Sequence, residues 1–206
     1  MLDTALIKEC ADPTLKPAIV EQFVAVAGSA DPLAVTVKSG GRLILIPKAT
    51  SVDQAMAIIR QYAGSAIVRV GLTQLPAGIG VTDPSDLQPD LVDACANLRK
   101  GTAMFAKILR IVAKWYGNRT SADAFPPMLE DAVYAWKTGE FEGRNVFLAS
   151  DPGGSLPIEK QVPAAQTEAD VSGNPETGNA AGSENNKPQP IGSAEMRIDL
   201  SRIGGE

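Results

Sequence analysis

Apolar positions recur along this chain with two spacings, and the switches between them divide it into elements. Leu2 to Cys10 and Pro17 to Ala27 carry them at helical spacing, the second segment opening on a proline at its first helical position. There Ile19, Val20, Phe23, Val24 and Val26 cover most of the circumference, which predicts a helix central to the core. The stretch LAVTVKSGGRLILIPK alternates around Ser39-Gly40-Gly41 and predicts a hairpin of Leu33 to Val37 with Arg42 to Ile46. Ser51 followed by Gln54 has the form of a capping box, starting a helix expected to run to Tyr62.

Val68 to Leu72 is an apolar approach segment, after which Pro76, Gly78 and Gly80 are expected to take the backbone out of regular structure. Gln74 is thereby placed where its amide can face a cleft. A long helix from Asn97 to Tyr116 shows Leu98, Phe105, Ile108, Val112 and Trp115 on one stripe. Lys100, Lys107 and Lys114 share another stripe, because seven-residue spacing returns to the same face. Pro126-Pro127 opens a last helix, Met128 to Thr138, ending near Gly139. The expected fold class is α+β, mainly helical, with a short hairpin.

Composition adds a boundary. With 206 residues, 44% of them apolar, the chain can bury a core of ordinary size. Residues 1–150 hold 15 basic and 15 acidic side chains, whereas 151–206 hold 4 and 9, so the whole net charge of −5 lies in the last segment. That segment has no aromatic residue and is rich in Pro, Gly, Ser, Asn and Ala, a composition that does not repay the entropy of ordering. The reading is a domain over 1–150 and a disordered acidic tail over 151–206. Within the tail, Ile191 to Ile203 regains apolar residues at Met196, Ile198, Leu200 and Ile203, either as a docking motif or as an inert end. No run of about 18 apolar residues predicts a membrane span, and MLDTALIKECAD has neither the basic start nor the apolar stretch of a secretory signal.

The absence of histidine excludes Ser-His triads, Cys-His nucleophiles and most zinc sites, and neither a Walker A sequence nor GxGxxG is present. No metal or other cofactor is expected. The three lysines read as a solvated helix face in preference to a surface for an anionic partner, since no aromatics interleave with them. Nucleic acid is therefore not an expected partner. Cys10 and Cys95 permit one pairing or two separate buried thiols.

Several short motifs occur in a telling order: Cys10, ADPLAV (Ala30 to Val35), RLILIPKATSVDQA (Arg42 to Ala55), GLTQ (Gly71 to Gln74), the element Asp93 to Leu98, and AVYAWKTGEF (Ala132 to Phe141). Over residues 8–145 this order resembles the VirB-type lytic transglycosylases of type IV secretion and conjugation systems and, more narrowly, a conjugal transfer family of Agrobacterium and Rhizobium plasmids. The resemblance implies a lysozyme-like domain, a role in plasmid conjugation with type IV secretion proteins and peptidoglycan as partners, and a periplasmic location. The missing signal leaves the cytoplasm, as a relaxosome or coupling factor, as the alternative. It also implies a disulfide between Cys10 and Cys95, and a glycan groove at Leu72, Thr73, Gln74, Trp136 and Lys137.

The departures from that family bear on the chemistry. Its members cleave peptidoglycan with a glutamate, usually followed by serine, and those positions here are Ala27 and Gly28. The glutamate acts as acid and then as base, and alanine can do neither. The family's Tyr-Asn-Thr-Gly reads Trp136-Lys137-Thr138-Gly139, and its usual Met and Asn in the turn are Thr73 and Pro76, while Gln74 is kept. Two carboxylates are candidates for a relocated acid. Glu21 lies six positions earlier, about 120° around the helix and some 9 Å along it, and Asp31 precedes Pro32 in a turn. The expectation is a binding or scaffolding module with no catalytic residue at position 27. Restoring activity is expected to require Ala27→Glu together with Gly28→Ser, Trp136→Tyr and Lys137→Asn.

Overall fold

Alternation in the strands sets up the sheet on which the rest of the fold is laid. In a computed structural model, which describes residues 2–119, 121, 123–154 and 156, strands β1 (Val35–Ser39), β2 (Arg42–Ile44), β3 (Ile67–Val70) and β4 (Leu75–Ala77) form one antiparallel sheet in the order β2-β1-β3-β4. The register pairs Val37 with Val68 and Val68 with Ala77, and it pairs Lys38 with Ile67 and Arg69 with Pro76. Because side chains alternate between faces, Val37, Val68 and Val70 are buried on the inner face, while Lys38, Ile67 and Arg69 share the outer one.

Helix α3 (Val52–Tyr62) packs against β1 and β3 through Ala55, Met56 and Ile59. Its entry differs from a standard capping box. The Ser51 hydroxyl accepts from Gln54 N as expected, but the Gln54 carbonyl oxygen reaches one residue further out, accepting from Thr50 N and Thr50 Oγ1.

The helical layer is built around α4 (Ala94–Trp115), which packs on α1 (Thr4–Cys10) and α5 (Phe125–Thr138). Leu98, Phe105, Ile108 and Val112 are fully buried along its inner stripe. The Phe105 ring stacks on Phe23 of α2 (Pro17–Ala27) with centroids 4.0 Å apart, and Trp136 of α5 meets Phe23 edge-on at 5.1 Å. Apolar burial plus favourable aromatic geometry makes this trio the centre of the core. Gly139, left-handed at φ 84°, ends α5, and a small hairpin of β5 (Glu140–Phe141) and β6 (Arg144–Asn145) follows.

Several boundaries differ from the sequence reading. Helix α1 starts at Thr4 because the Asp3 carboxylate caps it, leaving Leu2 outside. Helix α4 starts three residues earlier than expected because Asp93 caps it by accepting from Ala96 N. The first hairpin is shifted to Val35–Ser39 and stops at Ile44. Helix α5 begins at Phe125, with the proline pair in its first turn. Pro76 does not break the sheet: β4 is an edge strand, where a missing N–H faces outward without loss. Trp115 and Val26, expected in the core, are 65% and 53% exposed. Packing also continues past residue 150, since Arg110 donates to the Asp151 carboxylate and Leu156 is buried. The tail from 157 onward, including Met196, Ile198, Leu200 and Ile203, lies outside the described residues. No helix among the described residues is long and apolar enough to cross a membrane.

Candidate functional site

The turn between β3 and β4, Gly71 to Gln74, is where the sheet meets α2, α4 and α5. Gly71 has φ 70° and donates to Ala34 O, and a Cβ there would stand 2.3 Å from the Asn97 side chain, so only glycine fits. Asn97, in the first turn of α4, is fully buried and uses its whole amide. Its oxygen accepts from Thr73 N and Thr73 Oγ1, both at 2.9 Å, and its nitrogen donates to Val70 O at 3.0 Å and Leu91 O at 2.7 Å. Such a satisfied buried amide fixes the turn in one position.

Other elements close on the same turn. Gly101 of α4 lies so near Thr73 that a Cβ would come within 2.1 Å of its hydroxyl oxygen. Gly28, just past α2, approaches equally closely, its virtual Cβ lying 2.2 Å from Leu72 O, while Ser29 N donates to that same carbonyl. From α5, the Trp136 indole N–H donates to Thr73 O at 3.1 Å. Leu72, Thr73 and Trp136 are 3%, 0% and 0% exposed, so these three back the turn and face no groove as folded. Gln74 is half-buried with φ 52°, and its amide folds back to donate to Gly71 O instead of reaching outward. Lys137 is exposed at the end of α5.

Ala27 ends α2 beside this turn, half-buried. Glu21 is exposed on α2, and Asp31 accepts from Leu33 N at 2.9 Å and pairs with Lys48 at 3.1 Å. The backbone bond from Leu33, reinforced by Lys48, holds the Asp31 carboxyl below the ordinary carboxylate range, so it is ionised at neutral pH. Among the described residues no cluster of His, Cys, Asp or Glu side chains is arranged to hold a metal ion. Cys10 and Cys95 are bonded to each other, joining the end of α1 to the first turn of α4.

The lysine stripe of α4 is divided in its roles. Lys100 pairs with Asp90, and Lys107 donates to Phe147 O and Ala149 O, where burial pushes its ammonium pKa down against the pull of Asp151. Lys100 and Lys114 are exposed and Lys107 is half-buried, so the stripe is a solvated face except at Lys107.

Arg69 was not singled out in the sequence. Its neighbours Val68 and Val70 point inward, which places the guanidinium on the outer sheet face, where it donates to Gln74 O, Trp136 O and Lys137 O. It thereby satisfies the last carbonyls of α5 and lies over the rings of Trp136 and Phe147, at 6.0 and 5.4 Å. Burial pushes its pKa down to about 10, so it stays charged at neutral pH. Beside it runs an open groove of about 570 Å³.

These features define an α+β domain organised to hold one buried turn rigidly, with no ionisable side chain on that turn. Residues 1–205 of the chain match the TraH_2 family. It is 65% identical over 205 residues to the uncharacterised protein y4dP of Sinorhizobium fredii, with all of both chains covered. The chain therefore belongs to the TraH_2 family, a family of TraH-type conjugal transfer proteins. No solved structure matches it.

Proposed function

We propose that the chain serves plasmid conjugation as a non-catalytic binding component of a type IV secretion-like apparatus, its domain a lysozyme-like scaffold without the acid of the lytic transglycosylases. The observation that carries this reading is residue 27. An alanine ends α2 beside the clamped turn, and it can neither protonate a glycosidic oxygen nor accept a proton afterwards. Asp31, held ionised by Leu33 N and Lys48, is a poor substitute for a proton donor. A periplasmic location is part of the same proposal, supported by the Cys10–Cys95 bond, since such bonds persist in oxidising compartments.

The test is a mating assay. A donor lacking the gene should lose plasmid transfer, and a chain carrying Glu21→Gln and Asp31→Asn should restore it. Rescue by the unmodified chain but not by the folded double variant would return the domain to the enzymes.

A further inference from the structure

The outer face of the sheet carries charge of one sign. Lys38 of β1 and Arg69 of β3 lie across it, Lys137 stands at the end of α5, and all three line the 570 Å³ groove. No acidic side chain lines it, although acidic and basic residues are equal in number over residues 1–150. Arg69 makes no ion pair among the described residues: its hydrogen bonds go to three carbonyls, so no carboxylate neutralises it. A guanidinium has five N–H donors, so two are left without a protein acceptor. Between the cations the walls are mixed, with Ile67 59% exposed and Ile79 half-buried beside Ser65, Thr82 and Asn145.

We propose that this groove binds an acidic, extended peptide segment of a partner protein, with carboxylates over Lys38, Arg69 and Lys137 and apolar side chains against Ile67 and Ile79. This rests on the reading of the chain as a binding component. Carboxylate recognition follows from three cations without a competing anion, and Arg69 is pre-positioned by its carbonyl partners, which lowers the entropic cost of engaging a carboxylate. Ile67 and Ile79 suit alternating apolar side chains. A nucleic acid fits less well. The aromatic lining residue, Phe147, is only 9% exposed and offers little face for stacking bases, and the chain as a whole carries −5.

The experiment is a fluorescence anisotropy titration of the full chain with a labelled synthetic peptide of alternating Glu and Leu, beside a Lys-Leu peptide and an oligothymidylate. The Glu-Leu peptide should bind and the Lys-Leu peptide should not. Lys38→Glu with Lys137→Glu should weaken binding about tenfold or more, and the milder Lys38→Gln with Lys137→Gln should weaken it in the same direction. The exposed pair Lys8→Glu with Arg119→Glu, outside the groove, should change it less than about twofold. No binding of the Glu-Leu peptide, an equal loss in the control pair, or tighter binding of oligothymidylate through the same lysines overturns the proposal. A gene deletion that leaves plasmid transfer intact overturns the conjugation reading alone, because the titration does not depend on it.

Discussion

Replacing Asn97 should unfasten the turn from α4. In Asn97→Ala, Leu91 O and Thr73 N lose their side-chain partner in a fully buried site, Val70 O keeps its ladder pairing with Leu75, and the Thr73 hydroxyl can rotate to another acceptor. Each orphaned buried group costs about 1–3 kcal/mol, and partial relaxation brings the expected total to roughly 4 kcal/mol. For a domain of this size that is a fall in Tm of about 8–16 °C. Asn97→Asp separates hydrogen bonding from packing, because it keeps the shape and the acceptor towards Thr73 but turns a second oxygen towards Val70 O and Leu91 O. Burial and those carbonyls should raise the introduced carboxyl's pKa above its unfolded value of about 3.9. The folded state then binds more protons than the unfolded one above that pH, so stability should fall as pH rises from about 4 and level off beyond the raised pKa. Thermal unfolding followed by circular dichroism, with the disulfide intact, measures both effects. A loss below about 1 kcal/mol in Asn97→Ala, or a pH dependence in Asn97→Asp no different from that of the unmodified chain, would refute the clamp.

Three further outcomes follow from named contacts. Opening the Cys10–Cys95 bond, which spans a sequence separation of 85, should cost about 4.5 kcal/mol by the chain-entropy estimate, read by denaturant unfolding with and without reductant; midpoints that coincide would contradict it. The Asp151 carboxyl, pulled to about 2 chiefly by its hydrogen bond from Arg110, should titrate far below an ordinary aspartate by NMR, and Arg110→Gln should return it towards 3.8. Its contribution to stability, below about 1 kcal/mol because the Asp151 side chain is 41% exposed, is present above the unfolded pKa and lost as pH falls through about 2. Finally, Gly28→Ser should destabilise the domain by itself, since its Cβ would lie 2.2 Å from Leu72 O, so Ala27→Glu alone should melt higher than Ala27→Glu with Gly28→Ser.

That last outcome revises the sequence-based route to activity. Gly28→Ser and Trp136→Tyr look like restorations of a family motif, yet Gly28 is seated on a backbone carbonyl and the Trp136 indole holds Thr73 O inside the aromatic core. The elements themselves were largely legible. Helix α2 is bounded as expected by Pro17 and Ala27, because a proline at the first position and a dense apolar face leave little ambiguity. The sheet was less so, since Pro76 reads locally as a breaker and only its edge position makes it compatible with β4. Trp115 fits the α4 stripe by spacing, but at the last residue of the helix it extends beyond the core. The turn was legible in outline through GLTQ and the Asn97 element. Its clamp was not, because the pairing of Asn97 with Thr73 and of Arg69 with Trp136 O joins residues 24 and 67 positions apart.

The proposed function requires that this domain not itself cut peptidoglycan. Incubating the purified full chain with purified peptidoglycan, beside an active lytic transglycosylase, and analysing the soluble fraction by mass spectrometry tests it directly. The account predicts no anhydro-muropeptides above the enzyme-free control, with the disulfide-bonded, folded protein present throughout. Robust release by the unmodified chain, abolished by Glu21→Gln or Asp31→Asn in a protein that still folds, would contradict it.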